Sequence, residues 1–207
     1  MIVKKIEFTD VFASNCYFFI DEISKHGFII DPSAYAKKLL KTIEENHWTI
    51  EKILLTHTHL DHIGAALELS KILNIQMIGI ETSKSYLSDP ALTNHFTNFE
   101  VIKNITPVKN GDLIALKENP EIFLKIIATP GHTIDSAIYY NPKENIAFTG
   151  DTIFQSGIGR TDIEGSGGDY IELMNSIRQK IFTLPEDTVL YPGHGSQTTI
   201  REEKLNF

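Results

Sequence analysis

The stretch Leu54-Leu55-Thr56-His57-Thr58-His59-Leu60-Asp61-His62 decides the reading of this 207-residue chain. Apolar Ile53-Leu54-Leu55 leads into it, and the helical pattern Ile63-Gly64-Ala65-Ala66-Leu67-Glu68-Leu69 follows. The polar residues therefore belong on the turn where a strand hands over to a helix. Imidazole nitrogen and carboxylate oxygen are the usual ligands of zinc and similar divalent ions. His57 and His59 alternate as extended residues do, so both can face one way. Asp61 and His62 enter a tighter turn and can point at a second position nearby. One short loop can thus serve two metals. The competing reading is a polar loop that merely contains histidines. With eight His in the chain, three between positions 57 and 62 disfavour it.

Working outward, residues 2–8, 16–20 and 27–31 read as strands, the last stopped by Pro32. The second and third form a hairpin with Lys25-His26-Gly27 as its turn, which leaves His26 on the surface. Leu39, Leu40 and Ile43 give the segment 34–46 an apolar helical stripe, closed by His47 as a C-terminal cap residue. Residues 50–55 and 75–80 read as strands around a helix over 63–73 that stops at Asn74, which implies parallel pairing. Residues 81–99 read as an inserted lobe or lid, with a short helix from Thr82, a break at Pro90 and His95 as a surface loop residue. Short strands are expected at 101–102, 112–116, 122–127, 137–140, 145–148 and 189–191. Gly165–Gly168 opens a helix over 169–182 whose buried face is Ile171, Met174, Ile177 and Ile181. The expected result is one domain over residues 1–207, with two packed sheets and helices outside.

Three further segments share the layout of the first: Ile126 to Thr133, Ile146 to Thr152 and Leu190 to Gly195. In each, an apolar strand delivers a candidate ligand (His132, Asp151 or His194) into a turn containing glycine, which lets the backbone bend sharply beside it. Catalytic residues at the ends of several strands are a common outcome of such layouts.

Composition narrows the function. Hydrophobic residues make up 42% and charged residues 22%, ordinary for a globular chain. The net charge of −8 offers no basic footprint for nucleic acid or an anionic membrane. No segment approaches the roughly 20 apolar residues of a membrane span. The N-terminus reads as a first strand rather than a signal peptide, so a cytoplasmic protein is expected. Cys16 is the sole cysteine. It excludes an internal disulfide and a thiolate cluster, and it reads as a buried apolar thiol.

The combined motifs resemble the metallo-β-lactamase superfamily over nearly the whole chain. Thr56-His57-Thr58-His59-Leu60-Asp61-His62 matches its H-x-H-x-D-H signature. His132, Asp151 and His194 stand in its order and contexts, G-H-T, G-D-T and P-G-H-G. The resemblance implies an α/β, four-layer αββα sandwich. It implies one metal on His57, His59 and His132, another on Asp61, His62 and His194, and Asp151 bridging them. Two divalent ions about 3.5–4 Å apart can share a water whose pKa falls from about 15.7 toward 7. A metal also stabilises the oxyanion formed when that water attacks a carbonyl. Asp61, able to bind metal and accept the water's proton, is the candidate for orienting the nucleophile. The donor set suits zinc first, with iron or manganese also compatible.

Within the superfamily, Gly150-Asp151-Thr152-Ile153-Phe154, Gly159-Arg160-Thr161-Asp162 and the tail from Pro192 to Lys204 look like the short bacterial glyoxalase II-like branch. That resemblance implies hydrolysis of a small-molecule thioester, with S-lactoylglutathione as the model substrate. The basic C-terminal region that holds glutathione in full-length glyoxalase II has no expected counterpart before Phe207. Arg160 is either a bidentate contact for a substrate carboxylate or half of an ion pair with Asp162 under the loop. Asp135, where the family often has glycine, is either a carboxylate orienting a ligand histidine or a solvent-facing turn residue. The alternatives within the fold are a persulfide dioxygenase with one iron and a lactonase. The sequence leaves the oligomeric state open.

Overall fold

The computed structural model describes residues 1–9, 13–89 and 97–207. Six strands form the first sheet: β1 (Ile2–Phe8), β2 (Ser14–Ile20), β3 (His26–Ile30), β4 (Thr49–Leu54), β5 (Gln76–Ile80) and β6 (Ile105–Val108), side by side in chain order. Six more form the second, with β7 (Leu113–Ala115), β8 (Phe123–Ala128), β9 (Ala137–Asn141) and β10 (Ile146–Gly150) joined by β13 (Val189–Pro192) and β14 (Thr198–Thr199). A small hairpin, β11 (Ile153–Phe154) and β12 (Gly157–Ile158), lies between.

Alternation along the strands creates three apolar layers. In β2, Tyr17 and Phe19 enter the core shared by the two sheets, while Phe18 and Ile20 face the other way. In β9, Ala137 and Tyr139 enter that same core, while Ile138 and Tyr140 face outward. The outer face of the first sheet is covered by α1 (Ala36–Glu45), α2 (Leu60–Ile63), α3 (Ala66–Leu73) and α5 (Phe99–Asn104), through Leu39, Ile43, Ile63, Leu69 and Val101. The outer face of the second sheet is covered by α6 (Tyr170–Ser176), continued by a wider turn at Ile177–Ile181, through Leu173, Met174, Ile177 and Ile181. Two short helices, α4 (Ser85–Ser88) and α7 (Ile200–Glu203), complete the set. This is the expected αββα sandwich. Cys16 is fully buried, as read from the sequence, and burial pushes its thiol well up. No helix among the described residues is long and apolar enough to cross a membrane.

The strands β3 to β6 run parallel, as do β10 and β13. Their carboxyl ends deliver loops to one edge of the sandwich, where crevices in α/β sheets form.

Several expectations are corrected. Val101 and Ile102 are helical, not extended. Asn98 caps α5 by accepting from the Glu100 and Val101 amides at 3.0 and 3.4 Å, and both apolar residues are buried. The unanticipated β6 contains Pro107, which is harmless on an edge strand paired only with β5 because no ladder donor is lost there. The helix expected over 63–73 is broken at Gly64, where a Cβ would stand 2.2 Å from the Ser33 carbonyl. His26 opens β3 rather than making the turn, and its Nδ1 meets Glu51 Oε1 at 2.9 Å. Ile171 is 71% exposed, and Leu173 takes its place on the buried face of α6. The segment 81–89 is not a free lobe: Tyr86 is buried and donates to the Ser166 carbonyl at 3.2 Å. His95 and Pro90 lie outside the described residues.

Candidate metal centre

Four loops meet at the sandwich edge. The loop after β4 carries His57 and His59, then α2 presents Asp61 and His62. The loop after β8 carries His132, that after β10 carries Asp151, and that after β13 carries His194. Asn15 ties the last loop to β2: its amide donates to the Gly193 carbonyl at 2.7 Å and its Nδ2 to the Pro192 carbonyl at 2.9 Å. All seven sequence candidates converge. They form three overlapping groups, His57/His59/His132, His57/His62/Asp151 and Asp61/His62/His194, within each of which the potential ligand atoms lie within 4.8 Å of one another.

Glycines permit the approach. Gly150 has φ of +49°, and a Cβ there would stand 2.3 Å from Thr56 Oγ1. At Gly193, a Cβ would stand 2.3 Å from Asp151 Oδ1 and 2.5 Å from His62 Cε1.

Each of the five histidines turns one ring nitrogen outward to a polar partner. His57 Nδ1 meets Thr56 Oγ1 at 3.1 Å, and that hydroxyl itself donates to Asp31 Oδ2 at 2.6 Å. His59 Nε2 meets Ser166 Oγ at 2.8 Å. His62 Nδ1 meets Asp31 Oδ2 at 2.9 Å, His132 Nδ1 the Arg160 carbonyl at 2.6 Å, and His194 Nδ1 the Ala13 carbonyl at 3.1 Å. For His57 and His132 these contacts put the proton on the outward Nδ1 and leave the inward Nε2 as a bare lone pair, while in His62 and His194 the outward acceptors hold Nδ1–H and orient Nε2 inward. His57 Nε2 and His132 Nε2 each face His59 Nδ1 at 3.2 Å, where a single proton on His59 can serve only one of the two lone pairs well. Such an array is relieved by a shared cation.

The carboxylates point the same way. Asp151 Oδ1 lies 3.3 Å from His62 Nε2, yet both atoms are buried without a hydrogen-bond partner among the described residues. Asp151 Oδ2 lies 3.3 Å from His194 Nε2 and 3.6 Å from His132 Nε2. Asp61 Oδ2 lies 3.3 Å from His194 Nε2 and 3.5 Å from His62 Nε2. Burial disfavours charge on every member, and the outcome splits the set. Burial and neighbouring imidazoles push His59 down to about 3 and His57 well below its usual range. Burial would also lower His194, but Asp151 and Asp61 outweigh it and hold His194 at about 10; the same carboxylates raise His62. Burial would raise Asp151, but His62 and His194 hold it well below the carboxylate range, and Asp61 is lowered as well. This centre gathers positive charge, and the residues fit divalent cations.

A cavity of about 290 Å³ opens onto the ligands His59, Asp61, His132, Asp151 and His194. Its other wall is Leu60, Phe154, Ile158 and Ile163, with Arg160 beside them. A larger groove of about 600 Å³ beside α1, lined by Tyr35, Lys38 and Glu68, touches none of the ligands. Volume alone would select it; the chemistry does not.

Two readings of neighbouring residues change. Arg160 does pair with Asp162, Nε to Oδ1 at 2.9 Å, but both side chains are exposed rather than under the loop. Asp135 is neither solvent-facing nor bonded to a ligand histidine. It is 1% exposed and accepts from Thr58 Oγ1 at 2.8 Å and Thr133 Oγ1 at 2.7 Å. Thr58 stands between His57 and His59, so Asp135 braces the backbone that carries them.

Sequence reading missed Asp31, Ser166 and the carbonyls of Ala13 and Arg160. Asp31 had a signal. It ends the strand parallel to β4, so its carboxylate falls beside Thr56 and His62 at the same sheet edge. The carbonyls have none, because every residue has one.

The sequence profile described as the metallo-beta-lactamase superfamily matches residues 9–194. A hydroxyacylglutathione hydrolase, GloC, from Haemophilus influenzae is 36% identical over 199 residues, covering 93% of this chain and 91% of the relative. Among solved structures, the BLEG-1 B3 metallo-beta-lactamase superposes with a TM-score of 0.83 at 32% identity, over 98% of this chain and 96% of that one. TTHA1623 in a di-iron-bound form superposes with a TM-score of 0.77 at 25% identity, over 98% and 97%. By sequence, fold and convergent ligand chemistry, the chain belongs to the metallo-beta-lactamase superfamily of metal-dependent hydrolases.

Proposed function

We propose that the chain, as a single domain over residues 1–207, is a binuclear glyoxalase II-like thioesterase acting on small molecules of the S-lactoylglutathione type in the cytoplasm. The observation that supports the two-metal reading is the convergence of seven donor side chains in overlapping groups, with His62 Nε2 and Asp151 Oδ1 buried without a hydrogen-bond partner among the described residues. His57, His59 and His132 would hold one ion, Asp61, His62 and His194 the other, and Asp151 both. Zinc is the first choice for these nitrogen and oxygen donors, with iron or manganese compatible; the relative TTHA1623 was seen with two irons. When bound, the ions supply a water acidic enough to ionise near neutral pH and an electrophile for the carbonyl oxygen.

The chain's own residues supply the rest. The five outward hydrogen bonds hold the imidazole rings in orientation. Asp61, kept ionised by His62 and His194 and partly open to the cavity, orients the attacking water and accepts its proton. Leu60, Phe154, Ile158 and Ile163 keep bulk water from the acyl group. Arg160, at the cavity wall, is the substrate contact, exchanging Asp162 for a substrate carboxylate. The thioester reading is supported by the hydroxyacylglutathione hydrolase relative and by its near-complete overlap with this chain.

The test follows thiol release from S-lactoylglutathione by the metal-loaded protein, beside panels of lactones and β-lactams. Stoichiometric thiol supports the proposal. Ring opening without thiol release would transfer it to a lactonase or β-lactamase. One iron per chain with oxygen uptake on glutathione persulfide would end it.

A further inference from the structure

The β11–β12 hairpin is a wall of the cavity whose turn is supported from outside its own short ladder. Phe154 and Ile158 face the candidate ligands, and the Phe154 ring stands edge-on to His194 with centroids 5.9 Å apart. The ladder has only two residue pairs, Ile153 with Ile158 and Phe154 with Gly157, and isolated two-stranded ribbons are marginal even when longer. Its turn contains Ser156 at φ of +57°, a conformation uncommon for a non-glycine residue.

Support for this turn comes from α7. Glu203, in α7, is 1% exposed, and no ion-pair partner stands against it among the described residues. Its Oε2 accepts from the Ser156 amide at 2.9 Å and from Asn206 Nδ2 at 3.1 Å. Its Oε1 accepts from Thr198 Oγ1 at 2.6 Å. Asn206 Nδ2 also reaches Ser156 Oγ at 3.4 Å. The candidate ligand beside the hairpin is held separately. The Thr152 amide donates to the Thr149 carbonyl at 3.1 Å, Thr149 Oγ1 to the Ile153 carbonyl at 3.0 Å, and the Thr152 and Thr129 hydroxyls meet at 2.8 Å. The corner at Asp151 is thus locked without Glu203, and Ile153 and Ile158 pack against the outer apolar layer, whereas the turn between them takes its hydrogen bond from Glu203.

We infer that Glu203 is a positioning residue for substrate selectivity: through the Ser156 amide it sets where Phe154 and Ile158 stand against the apolar arm of the substrate. The inference rests on the reading of this cavity as a hydrolase site. It assigns the substrate class an alkyl or similarly apolar acyl arm lying along the hairpin.

The experiment compares wild type, E203A, E203Q, F154A and N206A on thioesters of one thiol with progressively longer alkyl acyl groups. A methylene buried on the wall favours binding by about 0.8 kcal/mol, so wild-type KM is expected to fall up to about fourfold per carbon. E203A and F154A flatten that slope and raise KM about tenfold on the longer substrates, and in E203A kcat stays within about threefold with metal content unchanged. E203Q retains an acceptor for the Ser156 amide and keeps most of the slope. Should E203A fail to fold, N206A, which removes one contact to the same oxygen from an exposed position, shifts the slope in the same direction. A wild-type slope in E203A, or in N206A where it substitutes, overturns the inference; so does parallel loss of metal and kcat. Amide hydrogen exchange gives a substrate-independent readout. Ser156 loses protection in E203A while the loop after β4 keeps it. If wild type releases no thiol from any member, the thioester reading falls; unchanged Ser156 exchange in E203A sinks the positioning role.

Discussion

Replacing Asp31 by asparagine tests how the centre is held rather than what it does. The side chain is buried and accepts three hydrogen bonds: from the Thr56 amide at 2.8 Å, Thr56 Oγ1 at 2.6 Å and His62 Nδ1 at 2.9 Å. Asparagine has the same size but only one acceptor oxygen. If that oxygen keeps the Thr56 amide, the new NH2 group faces the Thr56 hydroxyl and His62 Nδ1, both donors. The Thr56 hydroxyl can rotate away. His62 can answer only by moving its proton to Nε2, the atom that faces Asp61 and Asp151, and this blocks a ligand position. Loss of such an outer partner costs about 10- to 100-fold in metal affinity, or about 1.4 to 2.8 kcal/mol. The assay is competition for metal against a chelator of known affinity, read separately for each equivalent bound. Asp31→Asn should weaken one equivalent by about 10- to 100-fold and leave the other, on His57, His59 and His132, less affected. Two equivalents at wild-type affinity would refute the orientation argument.

Three other outcomes are expected. Asp151→Ala removes the carboxylate shared by both sets, so it should abolish hydrolysis while leaving the circular-dichroism spectrum unchanged; residual turnover at the wild-type rate contradicts the assignment. Gly193→Ala should lose metal binding by more than tenfold, since its methyl would sit within 2.3 Å of Asp151 Oδ1, far inside contact distance; unaltered metal content would show that the loop moves freely. Burial raises the Asp135 carboxyl above its ordinary range despite the Thr133 and Thr58 hydroxyls. The folded chain therefore keeps that proton to higher pH than the unfolded chain. This contribution to stability is complete below the ordinary carboxylate range and fades as pH rises through the folded value. Asp135→Asn should flatten that part of the stability curve, measured as the denaturation midpoint against pH; an unchanged slope would remove Asp135 as its source.

The layers of this fold were legible because apolar runs such as Cys16–Ile20 and Ile53–Leu55 are buried on both faces, leaving little choice of structure. The seven candidate ligands were legible because each follows such a run and sits in a turn. Val101-Ile102 misled because β-branched residues read as strand, whereas the capping oxygen of Asn98 and burial beneath the neighbouring helix decided the outcome. The β11–β12 hairpin and β14 were invisible for another reason. Two-residue strands carry no periodicity, and the turn of the hairpin is hydrogen-bonded to a carboxylate 47 residues away. Asp135 shows the same limit: a charged residue in a turn reads as solvated until three-dimensional neighbours supply its hydrogen bonds.

The most direct test of the account is a metal titration of the chelated protein followed by thiol release from S-lactoylglutathione. Activity is predicted to rise with added zinc and level off at about two equivalents per chain, as a binuclear centre requires. Full activity at one equivalent, or no thiol release at any metal content, would contradict it.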